Sequence, residues 1–130
     1  MEDLVKDFLK QKRFAVAGSF RSESKFAYKI LKDLMHRGYE VFPVNPHLKE
    51  VDGRTCYKSI SDIPYGVDVV NIVTPPSVTE SILKECLNKD IKRVWIQPGA
   101  ENAAVLQFCH DNNIRVIHSM CVMMESLKGR

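Results

Sequence analysis

Five short apolar runs rich in β-branched residues, at 14–17, 39–44, 67–73, 92–96 and 114–117, alternate with segments in which apolar residues recur at helical spacing. That alternation predicts a parallel sheet whose strands are joined by crossover helices, because each helix needs a sheet face on which to bury its apolar stripe. Residues 24–37 put Phe26, Ala27, Ile30, Leu31, Leu34 and Met35 on one helical face, with Gly38 as the stop. Ser77 with Glu80 reads as a capping box that opens a helix with Val78, Ile82, Leu83, Cys86 and Leu87 inward. Residues 102–112 predict a further helix through Val105, Phe108 and Cys109, and Leu4, Val5, Phe8 and Leu9 an amphipathic piece before the first strand. Ser59 and Asp62 suggest a capping box around a single helical turn. The run at 67–73 is apolar enough to lie centrally, with Trp95 in the core. The expected class is α/β: a doubly wound, mainly parallel five-stranded sheet with helices on both faces.

The 130 residues contain no Pro/Gly/Ser-rich linker and no repeat, so one domain spanning 1–130 is expected. With 45% hydrophobic and 27% charged residues the chain has the make-up of a folded domain rather than a disordered one. Nineteen Lys+Arg against sixteen Asp+Glu leave +3, too small and scattered an excess for a nucleic-acid surface and better suited to a small anionic ligand. The four cysteines show no C-x-x-C and the four histidines are scattered, no two of them at metal-ligand spacing, so neither zinc nor a redox pair is indicated. Acids and lysines interrupt residues 1–12, where a signal peptide needs an apolar stretch, and no run approaches a membrane span. A cytoplasmic protein that touches no membrane is expected.

In an open α/β sheet, ligands bind at the carboxyl ends of the strands, which directs attention to the loops at 17–25, 44–49, 73–77, 96–102 and 118–124. The first offers Gly18 for close backbone approach, the hydroxyls of Ser19, Ser22 and Ser24, and the charges of Arg21 and Lys25, a composition suited to phosphate. It has one glycine where the dinucleotide fingerprint G-x-G-x-x-G has three. The second strand ends in Val44-Asn45-Pro46, without the acid that holds the ribose hydroxyls of NAD. A phosphorylated ribose tolerates the neutral Asn45 better than a carboxylate. His47 and Lys49 either border the ligand or form a loop tip. Gln97 and Asn102 either bond a ligand or partner or cap the next helix, and Glu101 has neither a nucleophile nor a base beside it. Cys121, with Met120, Met123 and Met124 nearby, reads as a structural thiol, although a mixed disulfide with a ligand thiol is conceivable.

The ordered set Ala15-Val16-Ala17-Gly18-Ser19, Lys25-Phe26-Ala27-Tyr28, Gly38-Tyr39-Glu40-Val41, Pro43-Val44-Asn45-Pro46, Gly53, Asp68-Val69-Val70, Pro75-Pro76, Trp95-Ile96-Gln97-Pro98-Gly99 and Met120-Cys121 resembles the small stand-alone coenzyme A-binding proteins over residues 14–124. These are similar to the N-terminal domain of the succinyl-CoA synthetase α subunit. The resemblance implies a Rossmann-like domain with the 3′-phospho-ADP part of coenzyme A (CoA) across the carboxyl edge of the sheet. Gly18, Ser19, Arg21 and Lys25 would then hold phosphates; Pro43, Val44, Asn45 and Pro46 would border the adenosine. Val73, Thr74 and Pro75 would line the next wall; Gln97, read above as a contact to the ligand's pantetheine or to a partner, or as a helix cap, completes the candidate set. The synthetase keeps its phosphorylated histidine in a following domain, for which a chain of this length has no room. A non-catalytic binder of CoA or acyl-CoA, alone, as a homodimer or with a protein partner, is therefore expected. The rivals are an NAD(P)-dependent oxidoreductase domain and a subunit of an acyl-CoA ligase.

Overall fold

The computed structural model describes residues 2–123; Met124, placed by the sequence beside Cys121, lies outside them. In chain order the elements are α1 (Glu2–Leu9), β1 (Arg13–Gly18), α2 (Phe26–His36), β2 (Glu40–Val44), β3 (Glu50–Val51), β4 (Arg54–Thr55), a 3₁₀ turn (Ile60–Asp62), β5 (Val69–Val73), α3 (Pro76–Asn88), β6 (Arg93–Ile96), α4 (Ala103–Asp111) and β7 (Arg115–His118). The main sheet runs β2-β1-β5-β6-β7, all parallel. Strand order reverses between β1 and β5, because the chain first winds outward to β2 and then returns to build the other half.

Side chains alternate across the sheet with period two, and the two faces acquire separate cores. Phe14, Val16, Val41, Val69, Trp95 and Ile117 meet α1 and α2 through Phe8, Ala27, Ile30, Leu31 and Leu34. Ala15, Ala17, Phe42, Val70, Ile72, Val94 and Ile96 meet α3, α4 and the 3₁₀ turn through Leu83, Cys86, Val105, Cys109 and Ile60. Trp95 is completely buried, as expected.

Four local expectations are corrected. Phe26 is 36% exposed, because Ala27 takes the position against the sheet and leaves its neighbour about 100° away on the helix. Pro76 begins α3 one residue before Ser77, its fixed φ being suited to a first helical position, so Ser77 falls inside the helix and caps nothing. With Thr79, Ile82, Leu83 and Cys86 facing in, Val78 is rotated outward and is 45% exposed. Ser59 precedes the 3₁₀ turn but makes no capping bond, whereas the backbone N–H of Ser61 is bound by Glu85 from α3.

The β3–β4 hairpin lies outside the five-strand pattern. Asp52 and Gly53 take positive φ (52° and 77°), the conformation of a tight two-residue hairpin turn. The chain then runs back beside β2: Tyr57 N–H donates to the Pro43 carbonyl at 3.0 Å, and Asn45 N–H to the Tyr57 carbonyl at 2.9 Å. The Val44–Tyr57 bridge so formed is parallel and covers the β2 edge.

Candidate functional site

A cleft of about 750 Å³ opens at the carboxyl ends of β1, β2 and β5, where the strand order reverses, and extends along the first turns of α3. Of the twelve residues selected from the sequence, it brings together Gly18, Ser19, Arg21, Val44, Asn45, Pro46, Val73, Thr74 and Pro75. His47 also reaches it, but Lys49 is not among its lining residues.

Three selected residues do not line it. Pro43 is buried in β2, paired with Val16. Lys25 is exposed at the start of α2, with no side-chain capping bond. Gln97 is fully buried, donating to Asn71 Oδ1 at 3.2 Å and accepting from Val122 N–H at 3.1 Å. With the Trp95 indole N–H on the Met120 carbonyl at 2.9 Å, the W-x-Q sequence fastens the segment after β7 onto the sheet. Asn102 caps α4 by accepting from Val105 N–H at 2.8 Å.

Gly18 and Asn45 line the cleft, yet local packing explains both. A Cβ on Gly18 would lie 2.6 Å from Ala27 Cβ and 2.9 Å from the Val73 carbonyl oxygen, so its lack of a side chain lets α2 close onto β1 and β5. The Asn45 amide donates to the Gly18 carbonyl at 2.8 Å and accepts from His47 N–H at 2.8 Å, tying the loop after β2 to the end of β1. Thr74 is similarly engaged, its hydroxyl 2.9 Å from that of buried Thr79.

The groups left for a ligand form a coherent set. Ser19 Oγ is buried without a hydrogen-bond partner among the described residues, an arrangement that favours an incoming polar atom. Arg21, His47 and Lys58 are exposed, and among the described residues no ion pair engages them. Val44, Leu48, Val78 and Ile82 supply an apolar wall for a flat ring. Glu85, the acid in that wall, is bound to Ser61 N–H at 3.2 Å and to its hydroxyl at 3.3 Å. The sequence reading missed Lys58 and Ser59, whose signal was the Asp52-Gly53 hairpin turn that returns the chain to β2. The cleft can accept an anion of several charges joined to an aromatic ring.

Elsewhere the chemistry is quieter. A shallower depression of about 810 Å³ lies beside α2, where Tyr28 donates to Asp52 at 2.7 Å and Lys32 pairs with Asp52 at 2.8 Å. The bond to Asp52 pushes the Tyr28 phenol up to about 12 and keeps it a donor. Burial pushes the Cys86 thiol up to about 12 and that of Cys109 to about 11, whereas Cys121 is half-buried. Among the described residues, no group of three or more His, Cys, Asp or Glu is placed to hold a metal, and no helix is long and apolar enough to cross a membrane.

Comparison with known proteins gives this geometry a context. Residues 12–126 match the model of a family described as a CoA binding domain. An ADP-forming acetate–CoA ligase of Methanocaldococcus jannaschii is 31% identical over 119 residues, which are 85% of this chain and 17% of the ligase. The α subunit of an ADP-forming acetate–CoA ligase II of Pyrococcus furiosus is 31% identical over 126 residues, 88% of this chain and 28% of that subunit. The chain thus spans well under a third of either relative. Among solved structures, a hypothetical protein from Pyrococcus horikoshii OT3 superposes with a TM-score of 0.92 at 30% identity, covering 98% of this chain and 89% of that one.

Proposed function

This chain belongs to the CoA binding domain family, and from that premise we propose that it binds coenzyme A, or an acyl-CoA, in the cleft at the ends of β1, β2 and β5, as a cytoplasmic binding protein without turnover of its own. The observation that carries the reading is the combination of the buried Ser19 hydroxyl with Arg21, His47 and Lys58 around one cleft, the hydroxyl without a hydrogen-bond partner and the three basic side chains without an ion pair among the described residues. The 3′-phospho-ADP part of CoA has matching chemistry: a flat base for the apolar wall, and a diphosphate and a ribose phosphate for the donors and cations. Ser19 and Arg21 would hold the diphosphate, and Val78 and Ile82 would border the adenine. Bound CoA would supply a thiol able to carry an acyl group.

A thermal-shift panel of CoA, acetyl-CoA, dephospho-CoA, NAD, NADP and ATP tests the reading. Ligand at a hundred times its Kd stabilises the fold by about 2.7 kcal/mol, enough to raise Tm by several degrees. The expected order places CoA and acetyl-CoA above the nicotinamide dinucleotides; equal or greater shifts with NAD or NADP would overturn it.

A second reading, a component of an ADP-forming acyl-CoA ligase, is favoured by the ligase relatives, one of them a separate α subunit. It is tested by assaying the chain for ligase activity together with proteins that co-purify with it. Acyl-CoA formation that requires the chain would support this reading, and a monodisperse, inactive CoA binder would oppose it.

A further inference from the structure

We infer that Lys58, carried to the mouth of the cleft by the β3–β4 hairpin, recognises the 3′-phosphate of CoA and sets a preference for CoA over dephospho-CoA; the inference rests on the CoA reading above. The backbone at this point is held from both sides. Tyr57 is bonded to Pro43 and Asn45 at the end of β2, and Ile60, two residues beyond Lys58, is completely buried. Lys58 between them is exposed, lines the cleft and has no ion-pair partner among the described residues. Its ammonium is therefore a cation on a fixed base.

The location identifies the ligand group. In doubly wound sheets the ribose lies over the end of the second strand, where an acid holds free hydroxyls and a cation accommodates a ribose phosphate. Here the residue at that point is Asn45, whose amide is engaged by the Gly18 carbonyl and His47 N–H. Lys58 follows Tyr57, which the parallel bridge to Val44 holds at the end of β2, and it shares the cleft lining there with His47, while Glu85 is occupied by Ser61. Arg21 belongs to the loop after β1, where the diphosphate is expected, so the two phosphate groups of the ligand fall to different cations.

Calorimetric titration of the wild type, Lys58→Gln, Lys58→Arg and Arg21→Gln with CoA and with dephospho-CoA tests this. Lys58→Gln should weaken CoA at least tenfold while dephospho-CoA changes by less than twofold, and Lys58→Arg should retain most of the preference. Arg21→Gln should weaken both ligands by similar factors. Lys12→Gln, which removes the same charge before the amino end of β1, should change neither. Equal losses for both ligands in Lys58→Gln, or no loss for either, would overturn the assignment of the 3′-phosphate while leaving CoA binding intact. Failure of the wild type to bind either ligand would instead overturn the CoA reading.

Discussion

Gly18 shows how one missing methyl group fixes the distance between a helix and two strands. The atoms that would crowd a Cβ are Ala27 Cβ on α2 and the backbone oxygen of Val73 on β5, neither of which can swing aside like the end of a flexible side chain. Gly18→Ala should therefore destabilise the fold by about 2 kcal/mol, seen as a lower urea midpoint at unchanged slope; an unchanged midpoint would show that α2 moves away freely. The sequence marks this glycine, but as a place for close ligand approach. Its actual neighbours come from residues 27 and 73, and only the fold brings them together. Gln97 illustrates the same limit: position put it at a strand end, while its partners, Asn71 and Val122, lie 26 and 25 residues away. Ser19, by contrast, was legible, because a hydroxyl directly after the first strand enters the cleft whatever the details of packing.

Helix α1 precedes the sheet and is fixed to it by Val5 and Phe8 in the core and by Asp7 at the surface. Asp7 accepts from Arg93 at 2.8 Å and Arg115 at 3.3 Å, which joins the helix to the starts of β6 and β7. The bond from Arg93, with the nearby positive charges, holds the Asp7 carboxyl below its ordinary 3.8. The unfolded chain therefore binds a proton at this site more readily than the folded one. The stabilisation is complete above the ordinary value and is lost as pH falls through the lower, folded value. Asp7→Asn should flatten the dependence of stability on pH below about 4.5 and speed amide exchange in α1 at neutral pH; an unaltered acid limb in denaturation curves from pH 2 to 7 would contradict this. At this scale the five main strands were legible as apolar, β-branched runs and the helices from their period, with boundaries moving by one to a few residues. The hairpin was not, because β3 and β4 have only two residues each and no periodicity to display. Only Asp52-Gly53 announced it.

Across the molecule, the two edges of the parallel sheet differ in charge. Strands β1, β2, β6 and β7 begin with Arg13, Glu40, Arg93 and Arg115, and these pair with one another or with Asp7: Arg13 with Glu40 at 3.0 Å, Arg93 and Arg115 with Asp7. Asp68, just before β5, accepts the backbone N–H groups of Lys12 and Arg13 at 3.2 and 3.0 Å. At the carboxyl edge Arg21, His47 and Lys58 remain unpaired among the described residues around a cleft with an orphaned hydroxyl. At the amino edge the charges that begin the strands are paired, whereas at the carboxyl edge basic side chains remain open to an anion, as parallel strands winding outward from one reversal point allow. Order and spacing of elements made the position of this edge legible, while the loop geometry that turns Lys58 inward and leaves Lys25 outside was not. The most direct test is a crystal structure of the protein with CoA. Electron density for the 3′-phospho-ADP part between Ser19, the 45–48 loop and Val78 is expected, and a vacant cleft, or the nucleotide docked at any other surface, would contradict the account.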